Sequence, residues 1–287
     1  MITENVIRVA ADPAIDLFLA TVPGPPDKVL LVIHGGPDWD HSYLRVPLDR
    51  LAGTRRVLLP DLRGCGRSTS GLALADYSWD AAVSDMVGLL DALGIERADV
   101  LGFSTGGSIA QRLVLAAPGR VRRLIVASSS VLPVSDDDLD PDLREQRAAR
   151  LAQGEAPGSE PGELTGAAVN RADALRSAPA NIWRPEKLGE YLERLARVRF
   201  TGEWLPGWRA GILGPARPKD SVNRLAALGI PLLLLHGRQD MTFPAALALA
   251  AADMIPGARA VVLENAGHMA HIDQPDAWLT ALRDFLE

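Results

Sequence analysis

Three side chains of this 287-residue chain have the types, order and flanks that nucleophilic acyl chemistry requires. Ser104 lies in Leu101–Ser108, LGFSTGGS, between Gly102 and Gly106 in the pattern G-x-S-x-G. A serine hydroxyl is a weak nucleophile and needs a base that a third group orients. Asp240 follows the apolar run of PLLLLHGRQD, and His268 lies in ENAGHMAHIDQP after a further apolar run. Small residues suit the flanks of Ser104, because a strand entering a helix through a sharp turn brings neighbouring chains close. At the head of a helix the hydroxyl also meets a dipole that favours developing negative charge. Alone, the motif is equally a glycine-rich turn with an incidental serine. Serine, acid and histidine in that order, each at a strand end, argue for a triad.

The elements that must position these residues alternate in type. Val29–Ile33, Arg56–Leu59, Val100–Phe103 and Leu124–Ala127 read as buried strands, apolar on both faces as parallel strands are. Ala81–Leu93 has helical spacing and ends at Gly94; Thr105–Ala117 is a second helix, stopped before Pro118. The rhythm breaks over residues 131–220, which hold nine glycines, nine prolines and three of the six tryptophans. Pro185–Val198 is the clearest helix there, with Leu188, Leu192 and Leu195 on one face, and Gly154–Gly166 reads as a mobile loop. Strand Pro231–His236, helix Pro244–Met254, strand Ala258–Leu263 and helix Pro275–Phe285 then restore the alternation. The predicted fold is α/β, a mostly parallel sheet flanked by helices. Residues 1–130 and 221–287 form its core, with 131–220 inserted as a helical cap.

Composition narrows the partners. A net charge of −6, without a Lys/Arg run, argues against a nucleic-acid surface. MITENVIRVA has an early Glu and no apolar core of the kind a signal peptide carries, and the most apolar helical stretch, Pro244–Ile255, is too short for a bilayer. The single cysteine, Cys65, excludes an intrachain disulfide, and no H-E-x-x-H spacing offers a metal site. A cytoplasmic protein acting on a small molecule, with neither metal nor cofactor, is the expectation; the oligomeric state is left open.

Over essentially its full length the chain resembles the α/β-hydrolase superfamily, in its proline iminopeptidase-like and esterase-like branch. HGGPDWDHSY (34–43) is similar to that branch's H-G-G-P-G oxyanion loop, DLRGCGRS (61–68) to its D-x-R-G-x-G-x-S loop, and NAGHMAHIDQP to its catalytic-histidine segment. The resemblance implies Ser104 as nucleophile, His268 as base and Asp240 as orienting acid. It implies an oxyanion hole from the backbone N–H groups of Thr105 and Gly36; Pro37 has none to give. His271 is a second candidate base, and Asp253 and Asp273 are rival acids. His34 and His236 read as structural hydrogen-bonders, Cys65 as packing in a tight loop, and Asp61 with Arg63 as an ion pair bracing that loop.

Two departures from the branch bear on the substrate. Thr105 stands where the iminopeptidases carry Trp, and Asp38 where their loop has Gly. Those enzymes hold the substrate's amine with acidic groups, for which Glu203 and Asp38 are the candidates here. Trp39, Trp183, Trp204 and Trp208 either line an acyl pocket with them or, for the last three, form the cap's own core. The departures favour a small apolar ester, lactone or amide over an N-terminal proline. Carbon–carbon cleavage on the same triad, and a ligand-binding protein on the same scaffold, stand as further alternatives.

Overall fold

The computed structural model describes residues 1–154 and 166–287, so the expected loop Gly154–Gly166 falls, apart from its two end residues, outside the described residues. Strands β1 (Thr3–Ala11), β2 (Ala14–Val22), β3 (Val29–Ile33), β4 (Arg56–Pro60), β5 (Ala98–Phe103), β6 (Val121–Ala127), β7 (Leu232–Gly237) and β8 (Arg259–Leu263) form one sheet in the order β1-β2-β4-β3-β5-β6-β7-β8. β2 runs antiparallel to β1 and β4, whereas all pairs from β4 to β8 are parallel. Helices α1 (Arg45–Leu48), α2 (Trp79–Ala92) and α3 (Thr105–Ala116) follow β3, β4 and β5. Between β6 and β7 come α4 (Pro141–Gln153), α5 (Ala167–Asn181), α6 (Leu188–Leu195), α7 (Leu205–Arg209) and α8 (Ser221–Leu228). α9 (Ala245–Met254) joins β7 to β8, and α10 (Ala270–Asp273) and α11 (Pro275–Leu286) close the chain.

The central strands are apolar on both faces because both are covered. Every residue of β3, β5 and β7 is buried. Alternate side chains divide between two clusters, as the two-residue period of a strand demands. Leu31, Ile33, Val100 and Leu234 pack with Met86 of α2 and Ile109 and Leu113 of α3. Leu30, Val32, Leu101 and Leu235 pack with Trp278 and Leu282 of α11, and with Ala178 of α5 and Tyr191 of α6. α5 and α6 are thus seated on the second face, whereas Trp204 and the α8 residues Val222 and Leu225 pack on the first.

The sequence left the N-terminal hairpin unread. β1 is an edge strand, exposed along most of its length, so it lacks the burial that makes a strand legible. β3 and β4 begin at Val29 and Arg56 as expected, and β5 to β8 begin one to three residues from where the apolar runs start them. The Pro185–Val198 segment opens as a 3₁₀ turn, Pro185–Lys187, before α6. No described helix is long and apolar enough to cross a membrane.

The path reverses between β3 and β5. The chain steps from β3 outward to β4, returns to β5, and then proceeds the other way through β6 to β8. Two adjacent strands whose exits lead to opposite sides leave a crevice at their carboxyl ends, where open α/β sheets bind ligands. His34–Gly36 leave β3 there and Ser104 leaves β5.

The crevice requires close backbone contact. A Cβ on Gly102 would lie 2.3 Å from the Gly106 carbonyl oxygen, and one on Gly106 would lie 2.2 Å from the Ile33 carbonyl oxygen. Gly102→Ala is therefore expected to cost about 1–3 kcal/mol, lowering Tm by roughly 4–10 °C. Gly189→Ala, in open space on α6, should be neutral or slightly stabilising. Thermal unfolding of both variants checks the contrast, and equal effects would contradict it.

Candidate active site

Ser104 links β5 to α3 with φ 54° and ψ −124°, a left-handed setting rare for a residue with a Cβ. The setting is held by the Ser104 amide, which donates to the Ala127 carbonyl at 2.9 Å, and by the Gly107 amide, which donates to the Ser104 carbonyl at 2.8 Å. His268 leaves β8 in the loop before α10, and Asp240 follows β7. The three meet. Asp240 Oδ2 lies 3.0 Å from His268 Nδ1, and His268 Nε2 lies 3.2 Å from Ser104 Oγ. A carboxylate only accepts, so Nδ1 donates; Nε2 of the neutral ring is then free to accept the serine proton.

Asp240 is fully buried, and its second oxygen accepts from the amides of Thr242 (2.8 Å) and Phe243 (2.9 Å). Burial alone would raise its pKa. The facing His268 imidazole, its hydrogen bond and the Phe243 amide pull harder, so the carboxyl lies below its ordinary value and stays charged. Phe243 stacks on His268 with ring centroids 5.8 Å apart, fixing the imidazole plane.

The rival candidates have other employment. His271 Nε2 donates to the Tyr43 carbonyl at 3.3 Å. Asp273 accepts from the amides of Gly267, Trp183 and Arg184, and Asp253 is exposed on α9. His34 accepts from the Leu62 amide through Nε2 and donates through Nδ1 to the Gly35 carbonyl, so it ties the β3 exit to the 61–68 loop. His236 is fully buried at the end of β7, with the backbone of Ser129 and Phe243 beside its ring. The expected Asp61–Arg63 pair is not formed. Asp61 instead binds the His41 ring and the amides of His41 and Arg67, and Arg63 is taken up by a two-pronged pair with Asp85. Cys65 is buried, its Sγ accepting from the Asp38 amide at 3.3 Å.

Two backbone amides lie at the exits of β5 and β3. Thr105 opens α3, where the first N–H groups have no partner in the helix. In the β3 loop the Gly35 amide donates to Tyr43 Oη at 2.9 Å, leaving Gly36 as the donor beside it. Gly36 has φ +58°, and a Cβ there would meet the Trp39 ring at 2.8 Å. A cavity of about 250 Å³ lies over these groups, walled by Trp39, Tyr43, Phe103 and Met269, with Ser177, Asn181 and Thr242 as its polar lining.

Of the pocket residues expected from sequence, Trp39 alone is in that lining. Asp38 is 1% exposed and turned away, its carboxylate taken by cap donors, including the Trp204 and Leu205 amides. Glu203 accepts from Tyr77 Oη and the Gly71 amide. Trp204 is fully buried, stacked on Trp79 at 5.1 Å and bonded to the Arg63 carbonyl. Trp208 is 54% exposed, and Trp183 lies under the Arg150 guanidinium. Of the wall residues not anticipated, Met269 and Thr242 neighbour the histidine and the acid in sequence and could have been found that way. Ser177 and Asn181 arrive only through the packing of α5.

Comparison with known proteins bears on the family and the fold. A family model described as the alpha/beta hydrolase fold matches residues 28–275. The 2-hydroxymuconate semialdehyde hydrolase of Pseudomonas sp. (strain CF600) is 32% identical over 277 residues, covering 90% of this chain and 86% of that protein. The proline iminopeptidase of Heyndrickxia coagulans is 26% identical, covering 90% of each chain. The solved structure of a thermophilic esterase from Thermogutta terrifontis superposes with a TM-score of 0.69 at 27% identity, covering 99% of this chain and 98% of the esterase.

Replacing either Ser104 or His268 by Ala is expected to lower kcat by roughly 10⁴–10⁶-fold, with the double variant little worse than either. Asp240→Asn should cost about 10²–10⁴-fold, because the imidazole loses its orienting charge. Steady-state kinetics on any turned-over substrate reads all three, and a near-native Ser104→Ala enzyme would refute the assignment.

A pH prediction follows from the buried imidazoles. Burial pushes His34 and His271 below the ordinary value and His236 to about 4. Below the unfolded value of about 6.5 the unfolded chain takes up protons that the fold refuses. Their stabilisation is therefore complete above about pH 6.5 and is lost as the pH falls towards the folded values, at up to about 1.4 kcal/mol per pH unit for each histidine. Denaturant midpoints should fall from pH 7.5 to 5.5, and less steeply in His236→Phe. An unchanged slope in that variant would contradict the reading.

Proposed function

The chain belongs to the α/β-hydrolase family and is a hydrolytic enzyme, and from that premise we propose that it cleaves a small, neutral ester, lactone or amide through an acyl-enzyme on Ser104. Residues 1–130 and 221–287 supply the core and the triad; residues 131–220 serve as the cap over the nucleophile. His268 takes the Ser104 proton as Oγ adds to the substrate carbonyl, and Asp240 stabilises the imidazolium. The amides of Gly36 and Thr105 donate hydrogen bonds to the developing oxyanion. The imidazolium then returns the proton to the leaving alcohol or amine, and water, activated by the same His268, releases the acid.

One observation carries the choice of substrate. The described lining of the cavity holds no Asp, Glu, Lys or Arg. A charged substrate group buried there would be unpaired, which costs several kcal/mol. Prolyl amides bring an ammonium group, and the two acids that could have met it, Asp38 and Glu203, are bound elsewhere. A 2-hydroxymuconate semialdehyde brings a carboxylate, for which the described lining offers no cation. Aromatic walls and three neutral polar side chains suit a short acyl or alkyl group instead.

The reading predicts that kcat/KM for p-nitrophenyl acetate or butyrate exceeds that for prolyl-naphthylamide and for 2-hydroxymuconate semialdehyde by at least about 10²-fold, the discrimination expected for an unpaired buried charge. Preference for either charged substrate would overturn it.

A further inference from the structure

Asp38 occupies the oxyanion loop two residues after Gly36, yet all of its hydrogen-bonding groups reach into other segments. Its amide donates to Cys65 Sγ, and its carbonyl accepts from the Thr201 amide at 2.8 Å. Its carboxylate accepts four more: Oδ1 from Thr201 Oγ1 (3.1 Å) and the Trp204 amide (3.0 Å), Oδ2 from Asn170 Nδ2 (3.1 Å) and the Leu205 amide (3.1 Å). Every carboxylate donor lies in the inserted segment. The residue also has φ +74°, a conformation that favours glycine. A side chain kept at such a position implies that its contacts offset the backbone cost.

The donor on α5 gives these bonds a consequence. Asn170 stands in the first turns of α5, and Ser177 and Asn181 follow it at i+7 and i+11, along one stripe of the helix. Ser177 and Asn181 line the cavity over Ser104. The far end of α5 is tied to the histidine loop, since the Met269 amide donates to the Asn181 carbonyl at 2.9 Å and Asp273 accepts from both the Trp183 and Gly267 amides. The helix is slung between the two loops that carry the chemistry. Asp38 is its attachment at the oxyanion side.

We propose that Asp38 is a positioning residue that sets substrate size: through Asn170, Thr201, Trp204 and Leu205 its carboxylate holds α5 down over Ser104 and limits the acyl chain the cavity admits. The inference rests on the hydrolase reading above. In Asp38→Gly the left-handed backbone is relieved and the carboxylate's bonds to the cap are lost, leaving Asn170 only its bond to the Thr201 carbonyl at 2.7 Å, so the roof is loosened. Asp38→Asn keeps one accepting oxygen and should lie between. Asn170→Ala removes one donor without touching the oxyanion loop.

The test measures kcat/KM for p-nitrophenyl octanoate and p-nitrophenyl acetate in the wild type and the three variants, with hydrogen exchange of α5 and residues 199–205 in parallel. The octanoate-to-acetate ratio should rise at least about tenfold in Asp38→Gly, and by less in Asp38→Asn and Asn170→Ala. Exchange in α5 should quicken in the same order. A ratio unchanged within about twofold, or both substrates falling together, would overturn the proposal, because a merely structural role has no reason to favour the longer chain. Should the wild type turn over neither ester, the proposed function fails by itself; hydrogen exchange then decides the tether, and unchanged α5 protection in Asp38→Gly refutes it.

Discussion

The site depends on a backbone that is bent the wrong way for a side chain. Ser104 sits at φ 54° because β5 must end and α3 begin within one residue, and that turn aims Oγ into the crevice between the exits of β3 and β5. The turn survives because its neighbours give way: Gly102 and Gly106 leave room for carbonyl oxygens that would otherwise meet a Cβ at 2.3 Å or less. The helix that starts there supplies an unpaired amide at Thr105. Nucleophile, oxyanion donor and crevice therefore come from one local constraint.

Charge is managed around that turn by keeping it out, except at one place. Asp240 is a buried carboxylate held ionised by His268 and two amides, and it sits behind the imidazole, away from the cavity. Burial pushes His34, His236 and His271 towards the neutral form. Acids near the loops are spent on structure: Asp38 on the cap, Asp61 on His41 and the Arg67 amide, Asp273 on the histidine loop. What remains over Ser104 is a space walled by aromatic side chains and lined by Ser177, Asn181 and Thr242.

The elements that carry Ser104, Asp240 and His268 were legible because each one obeys a local rule. G-x-S-x-G declares its own turn, and Asp240 and His268 directly follow apolar runs that could only be buried strands. The alternation of strands and helices gave the parallel sheet for the same reason. The N-terminal hairpin was not legible, since β1 is exposed at the sheet edge and carries little apolar signal. The pocket was misread where the reasoning rested on residue type. Glu203 and Trp204 looked like binding groups beside one another in TGEWLPGW, but the 61–77 region packs against that stretch and claims both. Ser177 and Asn181 have no distinguishing neighbours in sequence; only the seating of α5 brings them over the nucleophile.

The central claim is that Ser104 is the activated nucleophile, and reaction with a fluorophosphonate followed by intact-mass and peptide analysis tests it most directly. The account predicts one phosphonyl adduct per chain, on Ser104, formed quickly in the wild type, slowly in His268→Ala and absent in Ser104→Ala. An adduct on another residue, or an active wild-type enzyme that takes up no label, would contradict it.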